Sequence, residues 1–173
     1  MNDAATNPFK GALRTSFLNG WSIALFSGCI TVVSLLMLSP GGIVMGLLIT
    51  AAGVMEVKGH GLMKAGKPES IRWLCGSQIF FFLVLILYCL ISLFMFQPER
   101  ALETLPPDAL SMVLAFGFDE SSLRVLIAQA FYLTYIAVII VTVVYQGGLC
   151  LYYLSKRKHF RTRDDAVAAL NSK

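Results

Sequence analysis

Of 173 residues, 57% are hydrophobic and 14% are charged, with a mean hydropathy of +0.72, whereas a soluble domain carries roughly a quarter charged residues. That balance excludes a soluble globular class. The net charge of +4 is also segregated: Lys, Arg, Asp and Glu are absent from 15–55, 73–98 and 125–155, the signature of membrane spans rather than of a core with interleaved charge. The fold class expected is an all-α integral membrane protein with four transmembrane helices in two hairpins and both termini cytoplasmic. An arm covers 1–16, the helical domain 17–154 and a basic tail 155–173.

The arm, with Lys10 and Arg14, leads into a first span at about 17–38. Its 22 residues reach about 33 Å as a helix, enough for the hydrocarbon core. It is longer than a signal-peptide apolar region, lacks a small-x-small cleavage site and runs on into a second apolar stretch, so it reads as a retained helix. Gly20, Ala24, Ser27, Thr31 and Ser34 share an arc of about 80°, a seam of small and hydroxylic residues that lets a neighbouring backbone approach.

The turn Ser39-Pro40-Gly41-Gly42 is so short that the second span, about 41–57, must return antiparallel beside the first. Gly42, Gly46 and Gly53 give it a smooth face for close packing on that seam. With 17 residues it sits near the lower limit for crossing, and a re-entrant hairpin is the alternative. Glu56 and His60 continue the glycine face at a helical spacing. Glu56 has three readings: a headgroup-level charge paired with Lys58, His60 or Arg72; a group on an ion or proton pathway; or half of a Glu-x-x-x-His metal site, for which no third ligand is evident. No metal or cofactor is expected.

Residues 58–67 read as a glycine-broken polar connector, with Pro68 and Glu69 placed to start the third helix. That span, about 71–96, is dense in Phe, Leu and Ile, and its stripe of Gln78, Leu85, Cys89 and Ser92 should turn inward. In the outer loop 97–124, Leu110, Val113, Leu114, Phe116 and Phe118 suggest an amphipathic segment on the bilayer surface, with a loop packed over the bundle as the alternative. The last span, about 125–154, is the most polar: Tyr132, Tyr135, Thr142, Gln146 and Tyr153 lie on one arc with Gln129 at its margin, a face expected to point inward. Lys156, Arg157, Lys158, Arg161 and Arg163 follow, a basic run suited to anionic lipid and too short beside a membrane for nucleic acid.

Twelve of the 14 Lys and Arg residues fall in the arm, the 58–72 connector and the tail; Arg100 and Arg124 lie opposite. The positive-inside rule therefore puts both termini and the middle connector in the cytoplasm of a multi-pass plasma-membrane protein. Trp21, Trp73, Tyr152 and Tyr153 then fall near the cytoplasmic interface as an aromatic belt. Cys29, Cys75, Cys89 and Cys150 form no Cys-x-x-Cys pair and read as apolar fillers. No phosphate loop, nucleophile elbow or His-Glu-x-x-His is present, so no enzyme is expected. Two functions fit. One is a homo-oligomeric channel or transporter-like pathway for an ion, proton or small solute, lined by Glu56, His60, Gln78, Gln129, Tyr135, Thr142 and Gln146. The other is an accessory or assembly subunit whose polar groups satisfy one another.

Overall fold

The computed structural model describes residues 9–171 except 105, 107, 109, 110, 113, 114, 116 and 118, with side chains as far as 159. The regular structure is all helical: α1 (Lys10–Leu36), α2 (Pro40–Lys64), α3 (Ser70–Met95), the short α4 (Pro98–Glu103) and α5 (Glu120–Asn171). Four of these, all but α4, are long and apolar enough to cross a membrane. Leu110, Val113, Leu114, Phe116 and Phe118, the expected amphipathic segment, lie outside the described residues.

The helices overrun the expected spans. α1 begins at Lys10 instead of 17, because nothing from 10 to 16 breaks a helix. α2 runs on to Lys64 through Gly59 and Gly61, so the expected connector 58–67 shrinks to 65–69. A helical glycine costs about 1 kcal/mol relative to Ala. At Gly59 it is offset by contact: a Cβ there would stand 2.8 Å from the Leu74 side chain and 3.1 Å from its backbone nitrogen, so α3 packs directly on the glycine. α2 stops at Gly66, whose φ of 71° closes the Lys67 N–H onto the Leu62 carbonyl at 3.0 Å, a left-handed helix cap that glycine adopts without penalty.

The first reversal also sits earlier than its glycines suggest. Leu38 takes the left-handed conformation, φ 50°, and the Ser39 N–H returns to the Ser34 carbonyl at 2.9 Å. Pro40 opens α2 at its first turn, where its missing N–H is no loss. Gly41 and Gly42 are thus helical, and Gly42 faces Ser34, whose Cβ lies 2.9 Å from where a Gly42 Cβ would stand.

The chain forms two compact units. The first gathers α1, α2, α3 as far as Leu85, and α5 from Thr142. Within it α1 and α2 touch along their length. A Cβ on Gly53 would stand 2.7 Å from the Ala24 nitrogen, one on Gly46 3.1 Å from the Thr31 Cα, and one on Gly20 3.1 Å from the Val57 nitrogen. Ser27 and Thr50 share a hydrogen bond across the seam at 2.9 Å. All four long helices contribute to one apolar cluster: Ala12, Met63, Ile71, Leu74, Cys75 and Tyr153. Lys58 Nζ stands 3.7 Å above the Trp73 ring, a cation–π contact between α2 and α3.

The second unit covers Ile86–Val141. Phe96 stacks on Phe131 with ring centroids 3.7 Å apart, Phe131 meets Tyr135 at 4.4 Å, and Tyr88 meets Tyr135 at 6.3 Å. Leu102 and Leu123 are its buried aliphatics. Asp119 precedes α5 and accepts from the Ser122 N–H at 3.3 Å and from the Ser121 hydroxyl; these bonds hold its carboxyl below the usual aspartate range, as for any N-cap carboxylate. Outward faces of both units are bare hydrocarbon, Phe26, Leu36 and Phe94 among them, surface that a bilayer covers and water does not tolerate.

Candidate functional site

At the centre of the first unit lies Glu56, 1% exposed. The Gly20 contact brings α1 so close to α2 that Asn19, one residue earlier, reaches the carboxylate. Asn19 Nδ2 donates to Glu56 Oε2 at 2.6 Å. The Tyr153 hydroxyl, from α5, donates to Oε1 at 2.8 Å. The Tyr145 hydroxyl, two turns earlier on α5, donates to Asn19 Oδ1 at 3.1 Å. The Gln78 amide of α3 is a further neighbour of the carboxylate. One acid therefore ties together three helices, and its oxygens are satisfied by neutral donors; among the described residues no Lys or Arg pairs with it.

The expected pairing of Glu56 with Lys58, His60 or Arg72 does not occur among the described residues. Lys58 is held on Trp73. His60 Nδ1 instead shares a 3.1 Å hydrogen bond with Ser16 and packs on the Phe17 ring at 5.5 Å. Tyr153 is likewise no belt residue: it is fully buried because the acid it serves lies inside. Trp21 is exposed.

Thr142 and Gln146 are buried on the same stretch of α5 as Tyr153, and Gln78 is buried on α3. The Oε1 atoms of Gln78 and Gln146 are enclosed without a hydrogen-bond partner among the described residues. The expected inward stripe does not hold along the whole helix. Gln129 and Tyr132 are exposed, and Tyr135 belongs to the aromatic group of the second unit. Of the pathway candidates, Glu56 and Gln78 are neighbours, and Thr142 and Gln146 lie buried in the same unit; His60 has its own partner in Ser16.

Asn19 and Tyr145 went unread as site residues. Asn19 carried a signal, as the one asparagine inside an apolar span, since an amide in hydrocarbon requires a partner. Tyr145 carried none, because it lies off the polar arc. No group of three His, Cys, Asp or Glu able to hold a metal occurs among the described residues. The four cysteines are free thiols, with Cys75 Sγ 3.7 Å from the Cys150 carbonyl. Of the basic run, Lys156 lies 5.3 Å from the Tyr152 ring centroid, Arg157 and Lys158 are exposed, and the Arg161 and Arg163 side chains lie outside the described residues. Comparison with family models, curated proteins and solved structures returned no match, so the inference to function rests on Glu56 and its partners.

Proposed function

We propose that this chain is an assembly or accessory subunit of a membrane complex: a four-span plasma-membrane protein, both termini and the α2–α3 connection cytoplasmic, that binds other membrane proteins through its outer faces and conducts nothing itself. One observation carries the reading. Glu56, the acid best placed to serve a pathway, is closed off by Asn19 and Tyr153 and 1% exposed, and the cleft between α3 and α5 is lined by its neighbour Gln78 and not by Glu56 itself. A conducting group needs solvent on at least one side; a group that clamps three helices needs its partners, and has them.

A second reading, the homo-oligomeric pathway for an ion, proton or small solute, is favoured by the lack, among the described residues, of a cation beside Glu56 and of partners for the Gln78 and Gln146 carbonyls, since uncompensated polar groups in a membrane mark transport routes by default. Vesicles containing the purified chain separate the two. Under potassium, chloride and proton gradients they should leak no faster than protein-free vesicles, and a Leu83→Cys crosslinker on the exposed face of α3 should capture a different polypeptide in native membranes. Flux abolished by Glu56→Gln, with crosslinks to the chain itself alone, establishes the pathway instead.

The orientation rests on the division of basic residues. In a background without native cysteines, Glu103→Cys should react with a membrane-impermeant reagent from outside the cell and Lys64→Cys from the cytoplasmic side. The reverse pattern inverts the topology.

A further inference from the structure

At the end of the first unit where α2 gives way to α3, a cleft of about 530 Å³ opens between the start of α3 and α5. We propose that it holds one phospholipid with an anionic headgroup, the phosphate lying on the Arg72 and Arg157 guanidiniums and an acyl chain running inward over Ile71, Cys75 and Leu154.

Three features converge on that occupant. First, Arg72 and Arg157 come from different helices onto one cleft, and neither side chain has an ion pair or hydrogen bond among the described residues. Two free guanidiniums present forked N–H donors that match a phosphate better than ammonium groups do. Second, the cleft lining is amphiphilic, with Arg72 and Arg157 beside Ile71, Cys75 and Leu154. A free inorganic anion would use the arginines and leave the apolar side chains bare; a lipid uses both. Third, the position is right. Arg72 stands just before the charge-free stretch of α3, and Arg157 just after that of α5, where headgroups meet both spans. The wall is also firm, since Ile71 and Cys75 belong to the apolar cluster and Cys75 Sγ contacts the Cys150 carbonyl of α5.

Glu69, also in the cleft lining, refines the headgroup. Its carboxylate repels a second anionic charge and accepts from a hydroxyl, which suits a singly charged polyol headgroup such as phosphatidylglycerol. The site differs from a diffuse attraction of the basic tail, because Arg72 precedes that tail by more than eighty residues and the cleft fixes a stoichiometry.

The test is native mass spectrometry of the full chain, released from vesicles of phosphatidylglycerol and phosphatidylcholine in equal amounts. One phosphatidylglycerol per chain should be retained in preference to phosphatidylcholine. Arg72→Gln and Arg157→Gln should each weaken retention at least tenfold, while Lys10→Gln with Arg14→Gln, exposed on α1 and outside the cleft lining, leaves it unchanged. As a check that does not depend on release, phosphatidylglycerol should raise the melting temperature of the parent and not of either cleft variant; both cleft residues are exposed, so these variants fold. Equal retention of the two lipids, equal loss in the Lys10 and Arg14 variant, or displacement by excess free glycerol phosphate would each overturn the proposal, the last by making the ligand a soluble phosphate.

Discussion

Gly53→Leu should break the α1–α2 hairpin, and Gly28→Leu, on the other side of α1, should not. A Cβ on Gly53 meets the Ala24 backbone nitrogen at 2.7 Å and its Cα at 2.9 Å. Backbone cannot rotate away as a side chain can, so the leucine is accommodated only by moving the helices apart. Overpacking in a core costs about 1–3 kcal/mol, and with backbone on the far side about 3 kcal/mol or more is expected. Separation also pulls Asn19 from Glu56. Nothing lies within 4 Å of a Cβ on Gly28, and there a leucine removes a helical glycine penalty of about 1 kcal/mol. Thermal unfolding and size-exclusion profiles in detergent read both. Equal melting temperatures for the two variants would mean that the glycines of α2 carry no backbone contact.

The residues that touch across α1 and α2 can be named from spacing alone, because small residues every fourth position are a local pattern and a short turn leaves one neighbour available. Helix ends were less legible. Gly59 and Gly61 look like breakers until Leu74 is seen resting on the first of them, a contact with a residue of another helix. The same limit hid the centre of the site. The helical wheel marks Glu56 as facing a helix, yet its partners come from positions 37 and 97 residues away, and no periodicity reports which side chain of which helix arrives. Tyr153 shows how position misleads. An aromatic beside a basic run reads as an interfacial anchor, but its hydroxyl points at a buried acid. The polar stripe of α5 failed at Gln129 and Tyr132 for a related reason: one arc faces one neighbour only while the packing around the helix stays the same, and the second unit packs through stacked rings instead.

The largest non-additive effect should come from the clamp itself. Asn19→Leu leaves one Glu56 oxygen and the Tyr145 hydroxyl without a partner, and a buried polar group left unsatisfied costs about 1–3 kcal/mol. Glu56→Leu alone strands the Asn19 amide and the Tyr153 hydroxyl, at about 1–3 kcal/mol each for a buried unsatisfied group. Combining Asn19→Leu, Glu56→Leu and Tyr153→Phe removes the carboxylate together with its Asn19 and Tyr153 donors and leaves only the Gln78 amide of its shell, so the triple variant should be more stable than either single leucine variant. The coupling across the cycle should exceed about 2 kcal/mol, within the range for residues of one network. Reversible unfolding in detergent measures it, and losses that merely add would show that the three groups do not act together. The triple variant also sharpens the functional choice. An apolar core in lipid holds helices as well as a polar clamp does, so a subunit whose role is assembly should keep its crosslinks to a partner after the replacement. If those crosslinks persist while a vesicle or cellular activity disappears, Glu56 does more than tie α1, α2 and α5 together, and the pathway reading takes its place.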